Sequence, residues 1–578
     1  VELKDFARTD LIKYDNQTEV DETRLAAVPQ DLTNYYLKMT SADQKTTYLA
    51  VKTIEETTVD GKAVYKVTAA ADNLVQRDAQ NHFAQTYSYY IEKPKASQAN
   101  VYYDFAELVN AIQANPSGEF RLGQSMSARH VVPNGKSYIT TEFTGKLLSD
   151  GDKRYAIYDL EHPLFNVING GTIKNINFEN VDINRSGQNQ IATVGFNLKN
   201  KGLIEDVKVA GSVTGNNDVA GIVNKIDEDG KIENVAFLGK INSVGNNSTV
   251  GGIAGSNYMG FVNRAYVDAT ITAQNANASM LVPFVTYMLN SWKSGTKAKV
   301  TNSVAKGVLD VKNTRNVGGI VAKTWPYGAV QNNVTYAKVI KGQEIFASND
   351  VNDEDGGPYI KDLFGVVGYS SAEDGTGKDT KSPNKLKHLT KEEADERVEG
   401  YNITANTFVS EPYALNTLNN VSSQADFANI QDYNPAYKQA YKNIEKFQPF
   451  YNKDYIVYQA NKLAKDHNLN TKEVLSVTPM KDSNFVTDLS DANKIIVHYA
   501  DGTKDYFKLS ESAEGLSNVK EYTVTDLGIK YTPNIVQKDH SSLINGIVDI
   551  LKPIELQSDP IYQKLGRTGP NKVNAIKN

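Results

Sequence analysis

Seven histidines, His82, His130, His162, His388, His467, His498 and His540, are the residues of this chain best suited to bind a transition metal or move a proton. No two are close enough in sequence to share a helix face. A zinc site made from neighbours is thereby excluded, which leaves only one assembled from distant residues. Otherwise they read as strand and loop histidines, as His498 does within Ile495-Ile496-Val497-His498-Tyr499. The run Asp350 to Asp355 has the look of a calcium loop, but its sixth position is Asp355 where glycine is needed and its twelfth is Lys361 where a bidentate glutamate belongs. It reads as a solvated acidic loop, and Asp227-Glu228-Asp229 as a turn. Gly375-Thr376-Gly377-Lys378 hints at a phosphate loop, yet Ala372 stands where the first glycine should be and no strand leads into it. Asp539-His540-Ser541 contains triad residue types, but adjacent residues rarely converge on one reacting atom and no Gly-x-Ser-x-Gly elbow occurs. It reads as a polar turn. No residue is therefore assigned a catalytic, cofactor-binding or metal-binding role.

Composition narrows the alternatives further. Lys plus Arg number 62 against 68 Asp plus Glu, a net charge of −6, with no basic stripe to track a phosphate backbone, so nucleic acid is excluded as a partner. The chain has no cysteine, which removes disulfides, thiolate nucleophiles and thiolate metal ligands together. Cysteine-free chains of this size are common among exported Gram-positive proteins and also suit the cytoplasm. The longest apolar stretch, Leu281 to Leu289, includes Pro283 and is far short of the ~20 residues that cross a bilayer, so no transmembrane segment is expected. Hydrophobic residues make up 40% and charged ones 22%, the composition of a folded protein. Single cores stop growing near ~250–300 residues, so 578 residues imply several units or a repeat array.

The array is visible in the middle third. Gly171-Thr172-Ile173-Lys174-Asn175-Ile176-Asn177-Phe178, Gly202-Leu203-Ile204-Glu205-Asp206-Val207-Lys208-Val209 and Gly230-Lys231-Ile232-Glu233-Asn234-Val235-Ala236-Phe237 share one pattern, and looser copies start at Gly260, Ala298 and Gly328. Between them lies a second motif: Val219-Ala220-Gly221-Ile222-Val223, Val250-Gly251-Gly252-Ile253-Ala254 and Val317-Gly318-Gly319-Ile320-Val321. Two interleaved motifs at one period of about thirty residues mean a solenoid. β-Branched residues alternating with period two, with no helix-length stretch between copies, select stacked parallel β-coils. At Asn234 the alternation slips by one residue, so both strand pieces face inward only if the chain turns there. Asn tolerates the left-handed conformation such a corner needs. Corners are expected at Asn175, Asp206, Asn234, Asn302 and Asn332, with side-chain amides bonding from coil to coil and Arg264 breaking the ladder.

The flanks follow from local signals. Asp60-Gly61 between two β-rich runs predicts a tight hairpin, and Asp501-Gly502 predicts another between Ile495–Tyr499 and Lys504–Leu509. Asp104 and Glu107 have capping-box spacing ahead of the apolar stripe Phe105, Leu108, Val109 and Ile112, which predicts a short helix covering the leading end of the coils. Residues 343–400 turn polar and read as a long surface loop. The tyrosine cluster Thr86-Tyr87-Ser88-Tyr89-Tyr90, part of 33 tyrosines, suits a protein-binding surface and suits a strand equally well. The expected organisation is a β-rich domain over 1–98, a capped right-handed parallel β-helix over 99–400 with its repeats in 165–340, and a helical linker module over 401–474. A small β-domain over 475–540 and a helical tail over 541–578 complete it. The fold class is mainly β.

Val1-Glu2-Leu3-Lys4-Asp5, Pro29-Gln30-Asp31-Leu32-Thr33-Asn34-Tyr35-Tyr36-Leu37-Lys38, the Val250–Gly255 class of repeat and Asp526-Leu527-Gly528-Ile529-Lys530-Tyr531-Thr532-Pro533-Asn534-Ile535-Val536-Gln537-Lys538 resemble the streptococcal immunoglobulin A1 protease and its sibling zinc metalloproteases of the bacterial surface. The resemblance covers almost the whole chain. It implies export, to the medium or the cell wall, and a catalytic domain C-terminal to this region that holds zinc with a His-Glu-x-x-His helix and a distant glutamate. No His-Glu-x-x-His occurs here, so no catalytic residue carries over and no cofactor is expected in this chain. With no signal peptide at Val1 and no sorting signal at Asn578, it reads as a region cut from a larger protein. The expected function is a non-catalytic scaffold and substrate-recognition region, with its own catalytic domain and a host immunoglobulin or other glycoprotein as partners. A stand-alone host-binding adhesin and a glycan-cleaving β-helix are the alternatives. The second needs rows of paired outward carboxylates, whereas the outward positions Lys174, Lys231, Glu233, Glu205 and Lys208 are mixed.

Overall fold

The computed structural model describes residues 6–419 except 16–17, 43, 45, 71–74, 77–81, 84–85, 286–297, 325–328, 344, 346–367, 372–385 and 404–407. Beyond 419 it describes only the backbone of seven short strands between 425 and 531. Two compact units result: Val1–Lys93 with Leu415–Asn578, and Pro94–Ala414.

In the first unit a seven-stranded antiparallel sheet runs in the order Thr18–Asp21, Phe6–Asp15, Tyr35–Ser41, Thr46–Val59, Lys62–Ala70, Thr86–Glu92 and Ala425–Asp426. The expected hairpin is present, Val59 pairing with Lys62 across Asp60 (φ +51°) and Gly61 (φ +79°). Leu11, Leu37, Met39, Leu49, Tyr65, Val67 and Tyr87 fill one face. Farther along, Val474–Lys481, Lys494–Tyr499 and Lys504–Lys508 pair antiparallel, the second expected hairpin. The Asp501-Gly502 turn, most of the helical linker module expected over 401–474 and the 541–578 tail lie outside the described residues.

The second unit is the expected β-solenoid. Eight strands, starting at Glu119, Lys146, Thr172, Leu203, Lys231, Phe261, Lys299 and Ala329, stack in parallel register on its first face. The corners fall where the alternation slips: Asn175, Asp206, Asn234, Asn302 and Asn332 all have φ between +50° and +59°. Arg264 does too, at +56°. The expected amide ladder is partial. Asn234 Nδ2 donates to Asp206 Oδ1 at 2.6 Å, whereas Asn302 reaches Asn263 rather than the fourth corner. A more continuous polar ladder occupies another turn, where Asn189 Oδ1 accepts from Asn216 Nδ2 (2.9 Å) and Asn217 Oδ1 from the Asn247 amide (3.1 Å).

Beyond the second strand piece the chain bends again at Gly211, Gly239 and Gly307, with φ of +142°, +142° and +109°. A Cβ on Gly239 would lie 1.8 Å from the Gly211 carbonyl oxygen, so glycine is required by both conformation and space. The Val-x-Gly-Ile motif then brings coil backbones together, the Ile222 amide donating to Ile253 O at 3.1 Å. A separate six-stranded parallel sheet forms another face, made by Val167–Asn169, Gly195–Lys199, Val223–Ile226, Ala254–Asn257, Phe284–Val285 and Lys323–Thr324. Ile, Val, Leu and Phe from all faces form one continuous interior core.

The leading end is covered as expected. Helix Phe105–Ala114 buries Phe105, Leu108, Val109 and Ile112, and Asp104 accepts the Glu107 amide at 3.1 Å. Glu107 itself accepts the Ser97 hydroxyl at 2.6 Å. Two differences from the sequence reading concern extent. The coils begin ahead of residue 165, at Glu119–Leu122 and Lys146–Ser149, which keep the initial glycine and apolar residues but lack the Asn corner. The ladder also continues into the stretch read as loop, Asn333–Thr335 pairing with Gly368–Ser370 and these with Leu386–His388. Parallel pairing needs only an accessible neighbouring strand, which explains how a polar, irregular sequence can still add rungs.

Candidate functional site

After each corner, alternate residues on the second face point outward. Ala156, Asn177, Lys208, Ala236 and Tyr266 stand in one such row, each in register with the next. Solvent would be expected over this row, yet Asn177 and Ala236 are fully buried. What covers the row is the chain's own return: helix Lys391–Tyr401, then Ile403 and Phe408, whose apolar side chains pack with Ala236, Tyr266, Val304, Val334 and Tyr369, while Tyr413 lies against Tyr158 with ring centres 5.8 Å apart. Thr390 caps the helix by accepting the Glu393 amide (3.2 Å), and Asn402 ends it in the left-handed conformation. Arg264, the residue that interrupts the Asn ladder, donates to the carbonyls of Tyr401 (3.1 Å) and Asn402 (2.9 Å), a cation at a helix C-terminus. Arg397 lies 3.8 Å over the Tyr369 ring, and the Tyr336 hydroxyl donates to Asp395 at 2.7 Å. Burial, then that carboxylate, pushes the Tyr336 phenol up.

Beneath Phe408 the row turns polar. Asn177 Oδ1 accepts from the Arg154 guanidinium at 3.2 Å, while Nδ2 donates to Glu179 Oε1 (3.2 Å) and the Phe408 carbonyl (2.9 Å). Lys208 Nζ stands 2.7 Å from the same Glu179 oxygen. Arg154 also stacks on the Phe408 ring, 5.2 Å to its centre. Chemically the group combines an amine, a carboxylate shared by amine and amide, and a cation on the amide carbonyl. Of these, the sequence reading singled out Lys208 alone, as an outward residue. Nothing marks Asn177 or Glu179, because an amide at an outward position is ordinary until a distant segment covers it.

The outward carboxylates Glu205 and Glu233 are each paired with a cation on a neighbouring coil. Lys174 lies 3.5 Å from Glu205, and Arg264 lies 3.7 Å from Glu233. Glu205 and Glu233 are themselves neighbours in register, but each has a cation beside it, an arrangement unlike an acid and base poised around a sugar.

The described histidines stand apart. His130 sits in a loop with φ +66°, and His388 is exposed at the end of the last ladder strand. His162 packs edge-on against Tyr138 (5.5 Å) with its Nε2 against the Arg185 guanidinium. Burial first, and Arg185 second, lower its pKa to about 4. The backbones of His82 and His498 lie in strands. His467, His540, Asp350–Asp355, Gly375–Lys378 and Asp539–Ser541 lie outside the described residues. Asp227-Glu228-Asp229 forms the expected turn, Glu228 and Asp229 having positive φ and Asp227 pairing with Lys225 at 3.4 Å. Among the described residues no group of three or more His, Cys, Asp or Glu is arranged to hold a metal ion, and no helix is long and apolar enough to cross a membrane. In the tyrosine cluster Tyr87 is buried and Tyr89 packs on the sheet core.

The family model described as the M26 IgA1-specific metallo-endopeptidase N-terminal region matches residues 1–211, and that described as its C-terminal region matches 518–577. Among curated proteins, the zinc metalloprotease ZmpB of Streptococcus pneumoniae is 60% identical, covering 100% of this chain and 30% of its own length. ZmpC of the same species is 33% identical over 98% of this chain, and the immunoglobulin A1 protease of Streptococcus sanguinis 30% over 98%. A solved structure titled IgA1 Protease aligns with a TM-score of 0.52 at 26% identity, covering 98% of this chain and 44% of that one. The chain spans about 30% of the length of the curated relatives it matches. End-to-end alignment at up to 60% identity, with a solved structure of the same kind, places this chain in the M26 IgA1-specific metallo-endopeptidase family.

Proposed function

We propose that this chain is the scaffold and substrate-recognition region of a secreted bacterial zinc metalloendopeptidase that acts on immunoglobulin A1 or a similar host glycoprotein, the chemistry residing in a catalytic domain C-terminal to it. The observation that carries this reading is coverage: the chain aligns over its whole length with proteins named as zinc metalloproteases and immunoglobulin A1 proteases while spanning about 30% of theirs. The sequence contains no His-Glu-x-x-His, and among the described residues no group of three or more His, Asp or Glu is arranged to hold a metal ion, which supports placing the zinc in that other domain. A solenoid whose interior is one continuous apolar core, and whose outer row is covered by its own chain, suits a rigid support. Attachment to the cell wall or release to the medium belongs to the same proposal.

The test uses the chain alone and the chain extended C-terminally to include the proposed catalytic domain. Immobilised immunoglobulin A1 should retain the chain alone in preference to immunoglobulin G, with intact heavy chain, and only the extended protein should cleave it. Heavy-chain cleavage by the chain alone with one zinc bound, or equal retention on both immunoglobulins, refutes the reading.

A further inference from the structure

The geometry points to a self-catalysed isopeptide bond between the Lys208 amine and the Asn177 side-chain amide, with Glu179 as proton shuttle and Arg154 as the cation that holds the developing oxyanion. Asn177 and Lys208 are register partners on adjacent parallel coils, so their backbones are one strand spacing apart, ~4.8 Å, and both side chains leave the same face. The residues on either side of them in the row are Ala156 and Ala236, both fully buried, and neither alanine can compete for the polar groups. Glu179 Oε1 takes both the Lys208 amine (2.7 Å) and the Asn177 Nδ2 (3.2 Å), so nucleophile and leaving group meet one carboxylate oxygen. A base shared in this way can receive a proton from one nitrogen and deliver it to the other.

The remaining requirements of acyl transfer are also present. Arg154 Nη1 donates to Asn177 Oδ1 at 3.2 Å, where negative charge appears when the carbonyl carbon becomes tetrahedral. Its position is fixed from two sides, by donation to the Asp206 carbonyl and by stacking on Phe408. Asn177 is fully buried beneath the returning chain, which keeps water from replacing the amine as nucleophile. In the reaction the Lys208 nitrogen attacks Asn177 Cγ and the carbonyl pair moves onto Oδ1. Glu179 takes in turn the two protons the lysine ammonium must shed and passes them to Nδ2. The Cγ–Nδ2 bond breaks and the nitrogen leaves as ammonium. One amide replaces another, nothing is oxidised or reduced, and no co-reactant is needed.

The link would staple two coils across the face on which the Phe408 segment lies. Intact-mass measurement on the denatured full chain tests it: the folded protein should be lighter than its sequence by one ammonia. Tryptic mapping should show a branched peptide joining Asn177 to Lys208, with no cleavage after Lys208. Glu179→Gln and Lys208→Arg should each restore the sequence mass, with strand circular dichroism confirming that they fold. Arg154→Gln should slow link formation by about 100-fold. A wild-type chain that keeps its full sequence mass after prolonged incubation overturns the proposal whatever the variants do. So does an ammonia loss that maps to any other residue, such as a succinimide or a cyclised terminus. An unchanged rate in Arg154→Gln removes Arg154 from its role.

Discussion

Three glycines of the solenoid unit allow the cost of its second bend to be separated into parts. Gly187 has ordinary φ and open space around it, so Gly187→Ala should stabilise by about 0.4–1 kcal/mol, through the unfolded chain alone. Gly151 has φ +67° with nothing near its absent Cβ, so Gly151→Ala should cost about 1–2 kcal/mol of left-handed strain. Gly239 combines φ +142° with a Cβ position 1.8 Å from the Gly211 carbonyl oxygen, a backbone atom that no rotamer change can move. Conformational strain of about 1–3 kcal/mol and overpacking of about 1–3 kcal/mol predict a loss of about 2–6 kcal/mol. Urea unfolding followed by circular dichroism reads the series, and hydrogen exchange over Lys231–Ser243 locates the weakened strand. A Gly239→Ala variant no less stable than Gly151→Ala would refute the reasoning. The next coil shows how that could happen, since Ala269 occupies the equivalent place without positive φ.

Other consequences can be checked in the same protein. Asn234→Ala should lose about 2 kcal/mol, from left-handed strain at φ +53° and the bond to Asp206, and Asn234→Gly clearly less; equal urea midpoints would argue against a strained corner. Asp104→Ala should cost about 1 kcal/mol by uncapping the end helix, visible as faster hydrogen exchange over Phe105–Ala114. Arg264→Ala should speed exchange over Lys391–Tyr401 with little effect on the coils, because the guanidinium serves the helix end. His162 is held neutral, its folded pKa near 4 lying below the ordinary 6.5. The unfolded chain therefore binds the extra proton first, and stability should fall as pH drops from 6.5 towards 4. His162→Gln should flatten that part of the urea-midpoint profile.

Much of the solenoid was legible because its signals are short. The slip in alternation at Asn234 concerns neighbouring residues, and the corner it implies is present with φ +53°. Arg264 shows the limit of residue type as a guide. Its flanks, Glu233↔Asn263 and Val235↔Ala265, remain in register, so the hydrogen bonds on either side force the left-handed corner on a residue that does not prefer it. The coils at Glu119 and Lys146 were missed for the converse reason, since their strands pair without an Asn corner to announce them.

The sequence alone determined the class of fold, the corner positions, the end helix, both hairpins and the family resemblance, all of which depend on patterns a few residues long. Tertiary structure decided which outward residues are buried and which meet. Asn177 donates to the carbonyl of Phe408, 231 residues away, and that return turns an ordinary surface row into a covered cluster of amine, amide, carboxylate and guanidinium. No local pattern encodes such a meeting. It depends on stacking, which repeats a side-chain position every coil, and on where a later segment finds apolar surface to cover.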